Sequence, residues 1–249
     1  MSTRSRPSAP AVAIVTFALR ACFPRKRRWI LLLPCVLALV FGLLTRSAAG
    51  TPAEAFARVA ANGLFGLLLP IACLVVGDAV MGADVRAGTL PFTWLSPVPF
   101  GVIAAARWAA GTVVAWVTVV PAFALAAVLA GVGGAAGPAA MATAVGAAAY
   151  VAVFVLIGCA TRRATVWSLG VVLLGEGLAA TALVSVAQLS PRWLSFAAFG
   201  GFTDVPADLV RDGLPTGWGA AVQLTVIAGA CLALAGWRLR RLRLSGATD

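Results

Sequence analysis

The sequence predicts an all-α, polytopic integral membrane protein, and three observations carry that expectation. Apolar types make up 61% of the 249 residues and charged types 11%, with a mean hydropathy of +0.99. A soluble chain carries roughly 25% charged residues, so there is too little polar side chain here to coat a water-facing surface. The apolar residues gather into six runs, each close to the ~20 residues an α-helix needs to cross a bilayer. The basic residues segregate between alternate connecting segments, as in chains threaded back and forth through a membrane. A soluble enzyme, a nucleic-acid binder, a secreted disulfide protein and a disordered tail are all poor fits. The expectation is a single transmembrane domain over residues 1–249.

Before the first run, residues 10–23 are apolar apart from Thr16 and Arg20, which lie four apart and share one helical face. Pro10 can open such a helix and Pro24 closes it. At about 20 Å it is too short to span. An interfacial helix is expected, drawn to anionic lipid by Arg25, Lys26, Arg27 and Arg28. The six expected transmembrane helices are residues 29–49, 59–81, 102–130, 138–160, 164–189 and 217–237. The first ends at Ser47-Ala48-Ala49, which superficially resembles a cleavage site. An apolar segment precedes the basic cluster, however, and the run is long for a signal core, so a retained span is expected. Pro121 should kink the third run. The fourth is rich in Ala, Gly and Val, small residues that let helices approach closely.

Orientation follows from charge. Arg4, Arg6, Arg20, Arg25, Lys26, Arg27, Arg28, Arg86, Arg107, Arg162, Arg163, Arg238, Arg240, Arg241 and Arg243 fall on one side, 15 of the 19 basic residues. Arg46, Arg58, Arg192 and Arg211 fall on the other. The positive-inside rule then puts both termini in the cytoplasm. Trp29, Trp108, Trp167 and Trp237 at inner ends, and Trp193 and Trp218 at outer ends, agree with an interfacial aromatic belt.

The missing residue types narrow the chemistry. The chain has no histidine, which removes His-based triads, His zinc sites and the commonest general base. Its one lysine, Lys26, sits between Arg25 and Arg27 rather than after a glycine, so there is no phosphate-binding loop. Cys22, Cys35, Cys73, Cys159 and Cys231 show no metal-ligand spacing and read as small apolar residues. No protein-bound metal is expected.

Two acids fall inside apolar runs. Glu176, between Gly175 and Gly177 in the fifth run, costs at least ~2.5–3.5 kcal/mol at that depth and should face protein or water. It is the candidate for the translocation path; the alternative is a carboxyl satisfied by hydrogen bonds between helices. Asp78, near the inner end of the second run, is placed to pair with Arg86 or Arg107, and Asn62 to bond a neighbouring helix. Residues 190–216 are long for a loop, yet Trp193 to Phe202 is apolar, so an extracytoplasmic re-entrant segment buried against protein is expected. Asp204, Asp208 and Asp212 recur every four residues and suggest one acidic face of a short helix ending near Gly213.

The segment between the second and third runs carries the most information. It reads Asp84, Arg86, Gly88, Thr89, Leu90, then Phe92, Trp94, Leu95, Ser96, Pro97 and Val98, with Arg107 about ten residues on. An acid, Arg-x-Gly-Thr-Leu, a short apolar stretch, Leu-Ser-Pro-Val and a basic residue in this slot resemble the ABC-2 type permease family of ABC transporters. The local match covers about 25 residues, and the six-span plan with a leading interfacial helix extends it over nearly the whole chain. The acid is Asp where the family more often has Glu, Pro91 interrupts the stretch, and Arg107 stands where Lys is commoner.

The resemblance implies that residues 84–99 hold a short cytoplasmic coupling helix that docks into a cleft on a cytoplasmic ATPase. Asp84, Arg86, Gly88, Thr89, Leu90, Phe92, Trp94, Leu95, Ser96 and Pro97 would be the ATPase-coupling residues. Phe92, Trp94 and Leu95 could form an aromatic anchor, and Asp84 and Arg86 could set polar register. The implied protein is not itself an enzyme but the permease subunit of an exporter in the plasma membrane. ATP and Mg would be bound by the partner ATPase subunits. A second permease copy, identical or not, would complete the path for a hydrophobic or amphipathic substrate, among membrane lipids and with no nucleic acid. The alternatives are an integral membrane lipid-modifying enzyme, which the lack of His and scarcity of acids disfavour, and a non-catalytic accessory subunit.

Overall fold

The computed structural model describes residues 14–16, 19, 28–47, 50–82, 98–161, 163–179 and 183–241. These are helical with no strand among them. Four helices are long and apolar enough to cross a membrane: Pro52–Val80, Phe100–Leu129, Gly133–Ala160 and Trp218–Arg241. The protein is therefore embedded in a membrane by its helices. Two of the six apolar runs, 29–49 and 164–189, hold shorter apolar helices among the described residues.

Helix α1, Arg28–Thr45, shows why the bundle suits lipid rather than water. Leu32, Leu33, Val36, Leu37, Val40, Leu43 and Leu44 are all exposed, while Ala38 and Thr45 are buried. The large side chains point away from the protein and the small ones toward it, the reverse of a soluble helix. Gly42 is part of that small face: a Cβ there would run into the backbone of Ala126. The Cys35 thiol donates to the Thr118 carbonyl at 3.0 Å across the same seam.

Helix α2, Pro52–Val80, begins seven residues before the apolar run of its sequence. Thr51 caps it, its Oγ1 accepting from the Glu54 amide, with Pro52 in the first turn. Thr51-Pro52-Ala53-Glu54 has the Ser/Thr-x-x-Glu spacing of a capping box, so polar Glu54 and Arg58 start the helix rather than delay it. Its middle, Ala60–Leu68, winds in wider π-helical turns.

Helix α3, Phe100–Leu129, continues through Pro121 and ends in a Schellman motif. The Val132 amide donates to the Ala127 carbonyl and the Gly131 amide to Val128. Gly131 has φ 84°, a conformation glycine adopts without a Cβ penalty. After a 3₁₀ turn at Gly133–Ala135 the chain returns as α4, Ala136–Ala160. Trp108 Nε1 donates to the Ala148 carbonyl at 2.9 Å, and Trp116 Nε1 to Ala144 at 2.8 Å. These indoles fasten two antiparallel helices; Trp108 does so within the bundle rather than as a plain interfacial ring.

Helix α4 is the hub, packing against α2, α3, α7 and α8 (the last two defined below). Ala139, Ala142, Gly146, Ala149 and Gly158 give it the slim profile that allows this. Helix α5 starts as Ala164–Gly170 and continues in π-helical turns over Val171–Ala179. A single turn, α6, covers Val184–Ala187, and α7 is the ten-residue helix Pro191–Gly200. Helix α8, Trp218–Arg241, ends with Arg241 over the Trp237 ring at 4.2 Å. Residues 204–212 form no continuous helix: only Ala207–Leu209 make a 3₁₀ turn, so Asp204, Asp208 and Asp212 share no helical face. Pro206 lacks an N–H and restricts Val205 to extended conformations, which forestalls the expected helix.

Candidate functional site

All ten residues expected to couple the chain to a partner lie outside the described residues: Asp84, Arg86, Gly88, Thr89, Leu90, Phe92, Trp94, Leu95, Ser96 and Pro97. Most of the expected interfacial helix, residues 10–23, lies there too; Ile14–Thr16 and Leu19 are helical. Two side-chain contacts hold the elements on either side of residues 83–97. Arg107 on α3 is only 4% exposed and its Nη1 donates to the Val80 carbonyl at 2.8 Å. The last carbonyls of a helix have no donor within it, and a cation there also complements the helix dipole. Arg107 therefore fastens the end of α2 to the start of α3. Thr165 Oγ1 donates to Asp78 Oδ1 at 2.7 Å, tying the same end of α2 to the start of α5. Asn62, expected to bridge helices, instead donates to the Arg58 carbonyl one turn back on its own helix at 3.3 Å.

Glu176 is the centre of a buried polar cluster. It lies in the π-helical part of α5 and is 4% exposed. Tyr150 Oη donates to its Oε2 at 2.5 Å. Its Oε1 accepts from Ser190 Oγ at 3.1 Å and from the Arg192 amide at 3.3 Å. Ser190 is the N-cap of α7, Pro191 its first residue and Arg192 its second, and the Ser190 hydroxyl makes no cap bond to its own helix. The carboxylate of another helix thus does what the N-cap side chain ordinarily does. It sits at the positive end of the α7 dipole, where a negative charge is favoured.

The depth of this cluster follows from α4. Tyr150 is 14 residues from Ala136 and 10 from Ala160, about 21 and 15 Å at 1.5 Å per residue. Helix α7 therefore starts near mid-bundle. Its other end is level with the start of α8, where the Gly217 amide donates to the Ala197 carbonyl at 3.0 Å. Aromatic packing holds it there. Phe199 meets Phe56 at 6.1 Å and Phe65 at 5.8 Å, and Phe196 meets Phe65 at 6.3 Å, centroid to centroid. On its α4 side, a Cβ at Gly146 would collide with the Ser195 hydroxyl.

With three donors on its two oxygens, Glu176 is held as an anchor. The cluster has the features of a structural joint: a fixed carboxylate, a fixed phenol and a helix end locked between them. Among the described residues, no group of three or more His, Cys, Asp or Glu side chains is placed to hold a metal ion. Sequence reasoning singled out Glu176 but missed its partners. Two signals pointed to them. Tyr150 is the only tyrosine in the chain and lies in an otherwise Ala/Gly/Val-rich run. Ser190-Pro191 is an N-cap followed by a first-turn proline, the signature of a helix start. No protein-family model and no curated protein matches this chain.

Proposed function

We propose that the chain is the permease subunit of an ABC exporter of the ABC-2 type. In this reading the six apolar runs cross the cell membrane and both termini face the cytoplasm. A second permease copy encloses the path, and ATP is hydrolysed on a separate cytoplasmic subunit. The observation that carries the reading is the Asp84-to-Arg107 motif in the slot between the second and third apolar runs. The way that slot is framed supports it. Arg107 and Thr165 fasten the end of α2 to two other helices, so a push delivered to residues 84–99 would reach α2, α3 and α5 together. The mechanism is alternating access: closure of the nucleotide-bound ATPases moves the coupling segment, and the helices rock to open the far side. Directional transport further requires that substrate affinity differ between the two states.

The test is to purify the chain from its native host, identify the ATP-binding protein that accompanies it, and reconstitute both in liposomes. The permease should change the partner's ATPase rate, and Trp94→Ala should reduce that change severalfold, since aromatic anchors dominate interfaces. An ATPase rate indifferent to the permease and to Trp94→Ala rejects the reading. It would leave a lipid-modifying enzyme or an accessory subunit.

A further inference from the structure

The end of α8 that lies level with the start of α3 carries a strongly charged patch. A Cβ at Gly236 would stand 3.2 Å from the Gly101 Cα, so the two helices touch there. Ala235, Gly236 and Leu239 are buried against the bundle, and Trp237, Arg238, Arg240 and Arg241 are exposed. Arg241 stacks over the Trp237 ring at 4.2 Å. Such stacking engages the face of a guanidinium and leaves the N–H donors in its plane available. Cations complement the helix dipole at this end. Three of them on one exposed turn nevertheless repel one another, and the sequence holds no acid between Asp212 and Asp249. Among the described residues the three make no ion pair.

The apolar surface leading to this turn narrows the ligand. Val222, Val226, Ala230 and Ala233 are exposed and follow one another at three- and four-residue steps, so they form one stripe that ends at Trp237. Ala230 and Ala233 make the stripe shallow between Val226 and Trp237, and a Cβ at Gly229 beside them would meet nothing within 4 Å. From Val226 to Trp237 is about 16 Å along the helix, the depth of one leaflet of a ~30 Å hydrocarbon layer. The whole of α8, 24 residues, is about 36 Å long, so its last turn emerges into the headgroup layer. A second copy of the chain set side by side on this face would bring two sets of arginines together, which like charge opposes. A lipid anion suits both the stripe and the arginines.

We propose that the last turns of α8 bind an anionic phospholipid. Its phosphate accepts from Arg238 and Arg241, whose forked N–H donors match phosphate oxygens. Trp237 lies beside the glycerol and the first methylenes, the usual level of an interfacial indole. One acyl chain runs along Ala233, Ala230 and Val226. The headgroup is net negative rather than zwitterionic, because this turn offers no carboxylate to an ammonium group. The site needs only that α8 crosses the membrane: an enzyme or an accessory subunit with this helix would bind the same lipid.

The experiment uses the full chain in mild detergent, with bound lipid counted by native mass spectrometry. Three probes are titrated: phosphatidylglycerol, phosphatidylcholine with the same acyl chains, and inorganic phosphate. Phosphatidylglycerol should bind about tenfold tighter than phosphatidylcholine, and Arg238→Gln combined with Arg241→Gln should remove most of that difference, as expected for charge-assisted hydrogen bonds. Arg46→Gln combined with Arg58→Gln removes the same charge at the other end of the bundle and should leave binding within about twofold, since screening confines the effect of a distant charge. Trp237→Leu keeps an apolar side chain but withdraws the ring that holds Arg241, and should weaken phosphatidylglycerol about threefold. This variant keeps the test decisive if the double substitution on α8 misfolds. Equal binding of the two lipids, binding unaltered by the α8 variants, or an equal loss with the Arg46 and Arg58 pair overturns the proposal. Inorganic phosphate should compete only at about a hundredfold higher concentration, because it buries no methylenes. Competition at matched concentration would assign the arginines to soluble phosphate and overturn the lipid source.

Discussion

Glu176 is tolerated in the bundle because donors from two other parts of the chain converge on it: Tyr150 on α4, and Ser190 and Arg192 at the start of α7. Removing the carboxylate leaves those donors buried and unpaired, at about 1–3 kcal/mol each before relaxation. Glu176→Ala should therefore lower the thermal unfolding midpoint in detergent by many degrees. Glu176→Gln keeps an acceptor for α7 and should unfold much closer to wild type. If the two substitutions prove equally mild, the carboxylate is not the anchor of α7. Tyr150→Phe leaves the buried Glu176 Oε2 without the phenol's hydrogen bond, and should cost about 1–3 kcal/mol. Under the proposed transporter function, Glu176→Gln separates anchoring from a role for the charge: reduced flux in a folded variant would show the charge at work. The sequence made Glu176 conspicuous because a charge in an apolar run stands out. Its partners were not conspicuous, because Tyr150 is 26 residues away and Ser190 is 14, and no helical periodicity links such separations.

At the level of helices, packing is set more by where side chains are absent than by where they are large. Gly42 lets α1 lie on the backbone of α3, and Gly146 lets α7 lie on α4. Gly42→Leu should detach α1, because the obstacle is the Ala126 backbone, which cannot rotate aside. The expected outcome is faster proteolysis near residues 28–45 with α3–α4 left intact, and an unchanged digestion pattern would refute the contact. Thr51→Ala should cost about 1 kcal/mol through loss of the α2 cap, read as a small drop in unfolding midpoint. The sequence located the apolar centres of the helices because hydrophobic runs report burial in lipid directly. It placed the start of α2 late, since Glu54 and Arg58 hold the apolar run back to residue 59 while the capping box at Thr51 and Glu54 already begins the helix. It also expected a helix through the three aspartates, where Pro206 outweighs their spacing.

For the whole molecule, the apolar excess of the composition becomes a surface of exposed Leu, Val and Trp around a core of Ala, Gly and Phe. That inversion made the class of fold legible from composition alone; the apolar stretch Trp193 to Phe202 also marked residues 190–216 for burial against protein, but the seating of the start of α7 on Glu176 was not legible, because it depends on contacts rather than on runs. A charge on the lipid-facing side of α1 should oppose insertion by about 2.5–3.5 kcal/mol, so Leu37→Lys should lower the membrane-inserted fraction of the chain, measured by alkaline extraction. An undiminished fraction would mean this face meets water or protein instead. The Glu176 joint also has a consequence for the order of synthesis. Ser190 and Arg192 follow Glu176 by 14 and 16 residues, a delay of about one to three seconds at 5–20 residues per second. Tyr150 has already been made by then, but the start of α7 has not. For that interval the acid must wait at the insertion machinery or be shielded by water. The chain thus carries its own reason to hold α5 back until α7 arrives, so a pause in translation near residue 190 would be felt in the yield of folded protein.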